Sequence, residues 1–98
     1  MTSAEAHDES AEVADLVAQS ALGVAGVAGL HGGSLGEVGT YLPGRRVTGV
    51  RVGDGGTSVH LVVDFGADVH QVADQVRRAV SGVAPVPVEV VVEDVAAP

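Results

Sequence analysis

The sequence has no cysteine and no lysine, and its only aromatic residues are one tyrosine and one phenylalanine. Without cysteine there is no disulfide framework, no thiolate nucleophile and no cysteine-based metal site, which fits a reducing compartment. With so few aromatics, the core has to be built from aliphatic side chains. Valine alone supplies about a fifth of the residues, and a β-branched core favours strands over a purely helical bundle.

Basic charge is also scarce, since five arginines face thirteen acidic residues and the net charge is −8 at pH 7. Residues 1–15 hold five of the acidic residues and no arginine. Non-specific binding to nucleic acid or to anionic lipid depends on lysine and arginine. We therefore expect no nucleic-acid partner and no direct membrane insertion, so that any membrane association needs a protein partner.

Long apolar runs are missing as well. The longest, Ala21 to Leu30, is ten residues and contains three glycines, whereas a spanning helix needs about 20 apolar residues. The first ten residues, MTSAEAHDES, lack the basic and apolar regions of a signal peptide. These features predict a cytoplasmic protein. Residues 1–9 are small, polar and acidic, and predict a disordered tail ahead of a single domain over residues 10–95.

Two segments have helical periodicity. The first begins at Ser10, a plausible N-cap, and ends near Gly23. The second begins at Asp68, with Gln71 at the capping-box position, and ends at Gly82. Its apolar stripe consists of Val69, Val72, Ala73, Val76, Val80 and Val83.

The remaining segments predict strands. A short strand is expected over residues 27–30, and another over residues 47–52. After the turn signal Asp54-Gly55-Gly56, residues 58–65 alternate, and the last strand spans residues 86–95. The alternation places Val59, Leu61, Val63 and Phe65 on one face. The order α-β-β-β-α-β predicts an α+β fold: a small, mostly antiparallel sheet of about four strands with two helices packed on one face.

Residues suited to catalysis or metal binding are present but not in recognisable patterns. The four histidines, at positions 7, 31, 60 and 70, show no i, i+4 pair of the kind found in helical zinc motifs. No serine lies in a G-x-S-x-G turn. We therefore predict no catalytic residue, no metal ligand, no cofactor and no enzymatic activity.

The glycine-rich segment 26–39 leaves an alternative open. Residues 31–36, His-Gly-Gly-Ser-Leu-Gly, resemble a phosphate-binding loop only superficially, because no lysine exists to complete it. Gly33 to Gly36 also fits the bare G-x-x-G of a nucleic-acid-binding KH module, although the nearest charge is the acidic Glu37. The alternative function is thus a small regulatory module that binds a ligand or nucleic acid through residues 26–39.

Residues 41–46 predict a surface loop around Pro43-Gly44 that contacts a partner. Tyrosine and arginine are over-represented at interface hot spots, and the predicted partner-binding residues are Tyr41, Leu42, Arg45 and Arg46. In the competing interpretation, the tyrosine and leucine cover the end of the sheet and only the arginines are exposed. If the arginines are exposed, reversing their charge should leave the melting temperature nearly unchanged.

Four blocks in this order resemble the alkaline shock protein family of envelope stress response proteins, in particular its short actinobacterial members. The blocks are residues 26–33, 36–47 and 59–66 and the helix over residues 72–80, and the resemblance covers about residues 12–95. It implies a non-enzymatic α+β protein that is abundant in the cytoplasm and often lies near the inner face of the membrane. There, family members are recruited by a membrane-anchored partner and self-associate.

The chain departs from the family pattern at three positions. Ala25 stands where the family usually has proline, His70 replaces a proline near the start of the second helix, and Val91 replaces an asparagine of the last strand. Despite these departures, the resemblance implies that the protein is a structural or scaffolding protein of the cell-envelope stress response that acts through protein–protein contacts.

Overall fold

The structure, a computed structural model, describes the backbone of residues 2–98 and the side chains of residues 12–98. Within that range it has two helices and six strands. They are α1 (Thr2–Leu22), β1 (Val27–Leu30), β2 (Gly39–Leu42), β3 (Arg45–Thr48), β4 (Val50–Gly53), β5 (Gly56–Val63), α2 (Val69–Ser81) and β6 (Val88–Val95). Helix α1 begins at Thr2 rather than near Ser10. Met1 and the side chains of residues 2–11 lie outside the described residues, so the disordered tail stays a prediction.

Strand β5 lies at the centre of the main sheet because its alternation buries every second side chain. Val59, Leu61 and Val63 are fully buried on one face, as predicted. Thr57 is buried with them, and its hydroxyl donates to the Pro85 carbonyl (2.8 Å). A buried hydroxyl needs such a partner to offset the cost of its desolvation.

The two edges of β5 are used differently. On one edge, β6 pairs with it in parallel from Thr57 to Val63, after the chain has crossed over through α2. On the other edge, two antiparallel strands lie end to end, β4 against residues 56–59 and β1 against residues 61–63. Strands β2 and β3 form a separate two-stranded hairpin. The predicted α+β fold with a small, mostly antiparallel sheet is confirmed.

The end-to-end arrangement of β1 and β4 depends on a glycine at their junction. His60 donates its backbone N–H to the Gly49 carbonyl and accepts from the His31 N–H, both at 2.8 Å. Gly49 has a φ of +82°, and a Cβ there would lie 2.8 Å from the His60 carbonyl oxygen. Only glycine combines this φ with this close approach. Gly49 therefore divides the predicted strand 47–52 into β3 and β4.

Both helices pack on the same face of the sheet. Asp68 caps α2 and accepts from the Gln71 N–H (3.1 Å), as the capping-box spacing predicts. Helix α2 contacts β6, whereas α1 contacts β1, β3, β4 and α2. The helix residues of the core are Ala14, Val17, Ala21, Val72, Val76 and Val80.

Leu16, which the spacing placed on the apolar stripe of the first helix with Val13, Val17 and Ala21, is 44% exposed on α1. Three other apolar residues lie outside the core although their spacing predicted them inside it. Phe65 is 64% exposed because β5 ends at Val63 and the chain turns toward α2. Val83 is exposed beyond the end of α2. Val86 precedes β6, which begins at Val88 after a cis Val86–Pro87 bond. In each of these three cases the regular element ends before the periodic pattern does.

We predict that Val76→Asp unfolds the domain, whereas Val83→Asp does not. Val76 is fully buried against the sheet, so the variant would bury an unpaired carboxylate at a cost of at least about 3 kcal/mol. A domain of this size has only about 5–15 kcal/mol to lose. Val83 is exposed, and its replacement should cost less than about 1 kcal/mol. Urea titrations of the two variants test this, and equal losses would contradict the assigned helix face.

Candidate protein-binding site

Residues 41–46 form a β-hairpin and not the predicted loop. Strands β2 and β3 pair antiparallel, with Leu42 opposite Arg45 and Tyr41 opposite Arg46. Pro43 and Gly44 occupy the turn, and Gly44 has the positive φ (+76°) that a tight turn of this kind requires. The sequence signal for the turn was correct, but the pairing of the short strands on either side of it was not predicted.

The hairpin has two different faces. Leu42 packs against the core, and Val47 is part of it. On the opposite face, Tyr41 is 75% exposed. The competing interpretation, in which Tyr41 and Leu42 both cover the end of the sheet, is therefore right for Leu42 and wrong for Tyr41.

Arg46 connects the hairpin to the preceding loop. Its guanidinium lies 5.1 Å from the centroid of the Tyr41 ring, a distance typical of a cation–π contact. The same group donates to the carbonyl of Gly36 and, at 2.9 Å, to that of Val38. Gly39 leaves room for the guanidinium, which a Cβ at that position would overlap. Arg46 is thus a half-buried structural residue, in contrast to the exposed charge that the sequence suggested.

Arg45 connects the hairpin to α1. Its guanidinium donates to both carboxylate oxygens of Asp15, at 3.0 and 2.7 Å. The hydrogen bond from Arg45 lowers the pKa of the Asp15 carboxyl below its usual value, and the same bond raises the pKa of Arg45. Both side chains are substantially exposed, so the ion pair orients the hairpin more than it stabilises it.

Leu35 is a candidate contact residue that the sequence pattern did not reveal. It is 90% exposed and precedes Gly36, whose carbonyl Arg46 contacts. The only sequence signal was a single leucine inside a glycine-rich turn, without an apolar partner at helical or strand spacing. We call Leu35, Tyr41 and the Arg46 guanidinium between them the hairpin patch.

In the loop over residues 31–38, which contains Leu35, backbone N–H groups donate to acceptors of the same loop. The Gly33 N–H donates to Nδ1 of His31 (2.9 Å), and the Leu35 N–H donates to the carboxylate of Glu37 (3.0 Å). The N–H groups of Gly36 and Val38 donate to carbonyls of the same loop. The Glu37 carboxylate thus lies where a phosphate-binding loop would hold its anion, and backbone hydrogen bonds lower its pKa. This geometry gives no support to ligand or nucleic-acid binding through residues 26–39.

Ser58 and His60 lie on the same face of β5, but each contacts a glutamate of β6 and not the other. His60 contacts Glu93 (2.6 Å) on the outer face of the sheet, while Ser58 donates to Glu89 (3.4 Å). Among residues 12–98, no three histidine, aspartate or glutamate side chains come together in a way that could hold a metal ion.

An open depression of about 640 Å³ lies over the β4–β5 turn. Backbone of Gly53, Gly55 and Gly56 forms part of its lining, and Arg51 and Glu89 contribute the charged side chains. No histidine lines it. The depression brings no recognisable catalytic group together.

We predict that Arg46→Ala destabilises the protein by about 1–3 kcal/mol, because it removes charge-assisted hydrogen bonds and the contact with the Tyr41 ring. The matched control is Arg78→Ala on α2, which removes a highly exposed ion pair with Asp74 and should cost less than about 0.5 kcal/mol. Thermal or urea unfolding measures both. Equal stability of the two variants would show that Arg46 does not connect the loop to the hairpin.

The Asp15–Arg45 pair predicts a pH-dependent difference between wild type and Asp15→Asn. Because the folded-state pKa of Asp15 is lowered, the pair contributes stability above the unfolded-state value, about 3.9. That contribution is lost as the pH falls through the folded-state pKa. Wild type should therefore have the higher urea midpoint at pH 7, and the difference should disappear in acid. Arg45→Gln should give the same profile, whereas a difference that persists in acid would contradict the assignment.

None of the helices in the described part of the chain is long and apolar enough to span a membrane. The chain matches no protein-family model, no curated protein and no solved structure.

Proposed function

We propose that this chain is a non-enzymatic scaffolding protein of the cell-envelope stress response and that it binds protein partners through the hairpin patch. The observation that carries the proposal is the exposure of Tyr41 on a hairpin whose position is set by the contacts of Arg45 and Arg46. Tyrosine and arginine are enriched at the energetic centres of protein interfaces.

The rigidity of the hairpin patch favours binding. The Tyr41 ring lies over a guanidinium that is itself hydrogen-bonded to two carbonyls, so little side-chain freedom is left to lose when a partner covers it. Ordering flexible side chains at an interface costs about 0.5–1.5 kcal/mol each, and preorganisation reduces that cost. Leu35 is 90% exposed next to Gly36, whose carbonyl accepts from Arg46, and adds apolar area to the patch.

The way in which the arginines are used supports recruitment to the membrane by a protein partner over direct binding to lipid. Arg45 and Arg46 make the contacts described above, and Arg51 donates to the Glu37 carbonyl (2.8 Å). Arg77 and Arg78 both pair with Asp74. Attraction to anionic lipid needs clustered basic charge, which the surface of residues 12–98 does not offer. We therefore propose a cytoplasmic protein that reaches the inner face of the membrane through a membrane-anchored partner and that self-associates.

The resemblance to the alkaline shock protein family supports the same proposal from the sequence. It extends over the hairpin and the loop before it, which carry the proposed surface, and over β5 and α2. Moreover, His31 accepts from the Gly33 N–H, and His60 and Ser58 contact Glu93 and Glu89 and not each other. Binding is thus the activity for which the contacts provide a physical basis.

We predict that Tyr41→Ala weakens partner capture and self-association at least tenfold while leaving the fold intact, because the ring is largely solvent-exposed. A tenfold loss corresponds to about 1.4 kcal/mol, a usual cost of truncating an interface tyrosine. The control is Phe65→Ala, since Phe65 is similarly exposed but follows the opposite end of β5. Sedimentation velocity measures self-association, and a photo-crosslinking aromatic at position 41 or 65 identifies partners in cells.

Crosslinks formed from position 41 and not from position 65 are the expected result. If the two positions crosslink the same proteins, or if Tyr41→Ala sediments like wild type at equal stability, the hairpin patch is not the contact surface.

A further inference from the structure

Strand β6 has an unpaired edge along its whole length. It hydrogen-bonds to β5 on one side, and no other strand in the described part of the chain pairs with it. Eight residues is long for an open edge, since natural proteins usually shorten such strands or protect them with charged side chains, above all lysine, with proline or with a bulge. The charges of β6 are the carboxylates of Glu89, Glu93 and Asp94. Residues 88–95 contain neither lysine nor proline, and the one irregularity of pairing lies near the end, between Leu61 and Val62 of β5.

The hydrogen-bond pattern identifies which backbone groups are open. The Thr57 N–H donates to the Pro87 carbonyl at the start of the β5–β6 ladder. In a parallel pair, alternate residues of one strand direct both N–H and C=O to the neighbour. Glu89 and Val91 therefore bond to β5, while the N–H and C=O groups of Val88, Val90 and Val92 point toward the open edge.

The side chains beside this edge are apolar on one face and acidic on the other. Val90 and Val92 pack against the core on the helix-covered face. On the outer face, Glu89 is exposed and Glu93 contacts His60. The nearest arginine in register on that face is Arg51, two strands and therefore about 9–10 Å away, and its guanidinium is engaged with the Glu37 carbonyl.

These charges disfavour a second copy as the occupant of the edge. Antiparallel pairing of two copies about Val90 would place Glu89 opposite Val91 of the second copy. Glu93 of that copy would then be a diagonal neighbour of Glu89 at about 7–8 Å, with like charge. The same carboxylates favour an incoming strand that carries basic side chains.

We propose that the open edge of β6 binds an extended segment of another protein as an added strand, with two arginine or lysine residues four positions apart facing Glu89 and Glu93. Backbone hydrogen bonds to Val88, Val90 and Val92 provide the docking, and the acidic face selects the sequence. Apolar residues between the basic ones extend the layer formed by Val90 and Val92. The inference does not depend on the hairpin patch, because β2 and β3 lie beside β4, on the other side of β5.

The test uses the full chain and three capped heptapeptides. The first is Val-Arg-Val-Thr-Val-Arg-Val, the second has glutamate in place of both arginines, and the third has the composition of the first with the arginines adjacent. Amide hydrogen exchange measured by NMR reports on each backbone donor. In the free protein, the amides of Val88, Val90 and Val92 should exchange quickly, whereas those of Glu89 and Val91 are protected by β5. The first peptide should protect Val88, Val90 and Val92, and the other two should not.

A charge exchange tests the selection. Glu89→Lys should weaken binding of the arginine peptide about fivefold or more, because the attractive cross-strand pair between Glu89 and arginine becomes a repulsive pair of two cations. The same variant should permit binding of the glutamate peptide, because the repulsive pair of two carboxylates becomes attractive. The control is Glu12→Lys, which makes the same change in net charge at an exposed position on α1 and should leave both affinities as in wild type.

Three results would overturn the proposal. Binding of the arginine peptide without protection of Val88, Val90 and Val92 would indicate attraction to an acidic surface elsewhere. Equal affinity for the arginine and glutamate peptides would remove the charge selection. Protection of Val88, Val90 and Val92 that rises with protein concentration in the absence of peptide would assign the edge to a second copy of the chain.

Discussion

The pairing of β5 on both edges is the constraint on which the rest of the structure depends. Within the described residues it is the one strand with neighbours on both sides, and its alternate side chains form the floor of the core. Two short strands can share one of its edges because Gly49 lets the backbone pass close to His60 without a Cβ in the way. The other edge is taken by β6, which therefore becomes the edge of the sheet and leaves its own outer hydrogen-bonding groups open.

The few basic residues serve mainly to hold the hairpin in place. Arg45 reaches α1 and Arg46 reaches the loop before β2, so two adjacent residues connect β3 to two different parts of the molecule. Adjacent residues in a strand point to opposite faces, which makes this division possible. As a consequence, the arginines contribute orientation, and the exposed Tyr41 and Leu35 are left to provide contact area.

The two proposed surfaces lie on opposite sides of β5 and differ in physical character. The hairpin patch is aromatic and aliphatic, and its one charged group, the Arg46 guanidinium, donates through one terminal nitrogen to two carbonyls while its buried Nε has no partner among residues 12–98. The edge of β6 combines open backbone groups with carboxylates. A small protein with two such surfaces can hold two partners at once, which is the property that a scaffold requires. The acidic net charge is compatible with both, because neither surface depends on attraction to lipid or nucleic acid.

The sequence by itself determined the elements with long periodic patterns. The cap at Asp68, the buried face of α2, the alternation of β5 and the turn at Asp54-Gly55 all follow from side-chain spacing and local backbone preference, because these depend on residues close together in the chain. Tertiary structure alone decided the features that join distant segments. Arg45 meets Asp15 across thirty positions, Arg46 is half-buried by the carbonyls of another loop, and Gly49 acts through its approach to His60. Such contacts leave no periodic signal, since the energy of each depends on where the fold places its partner.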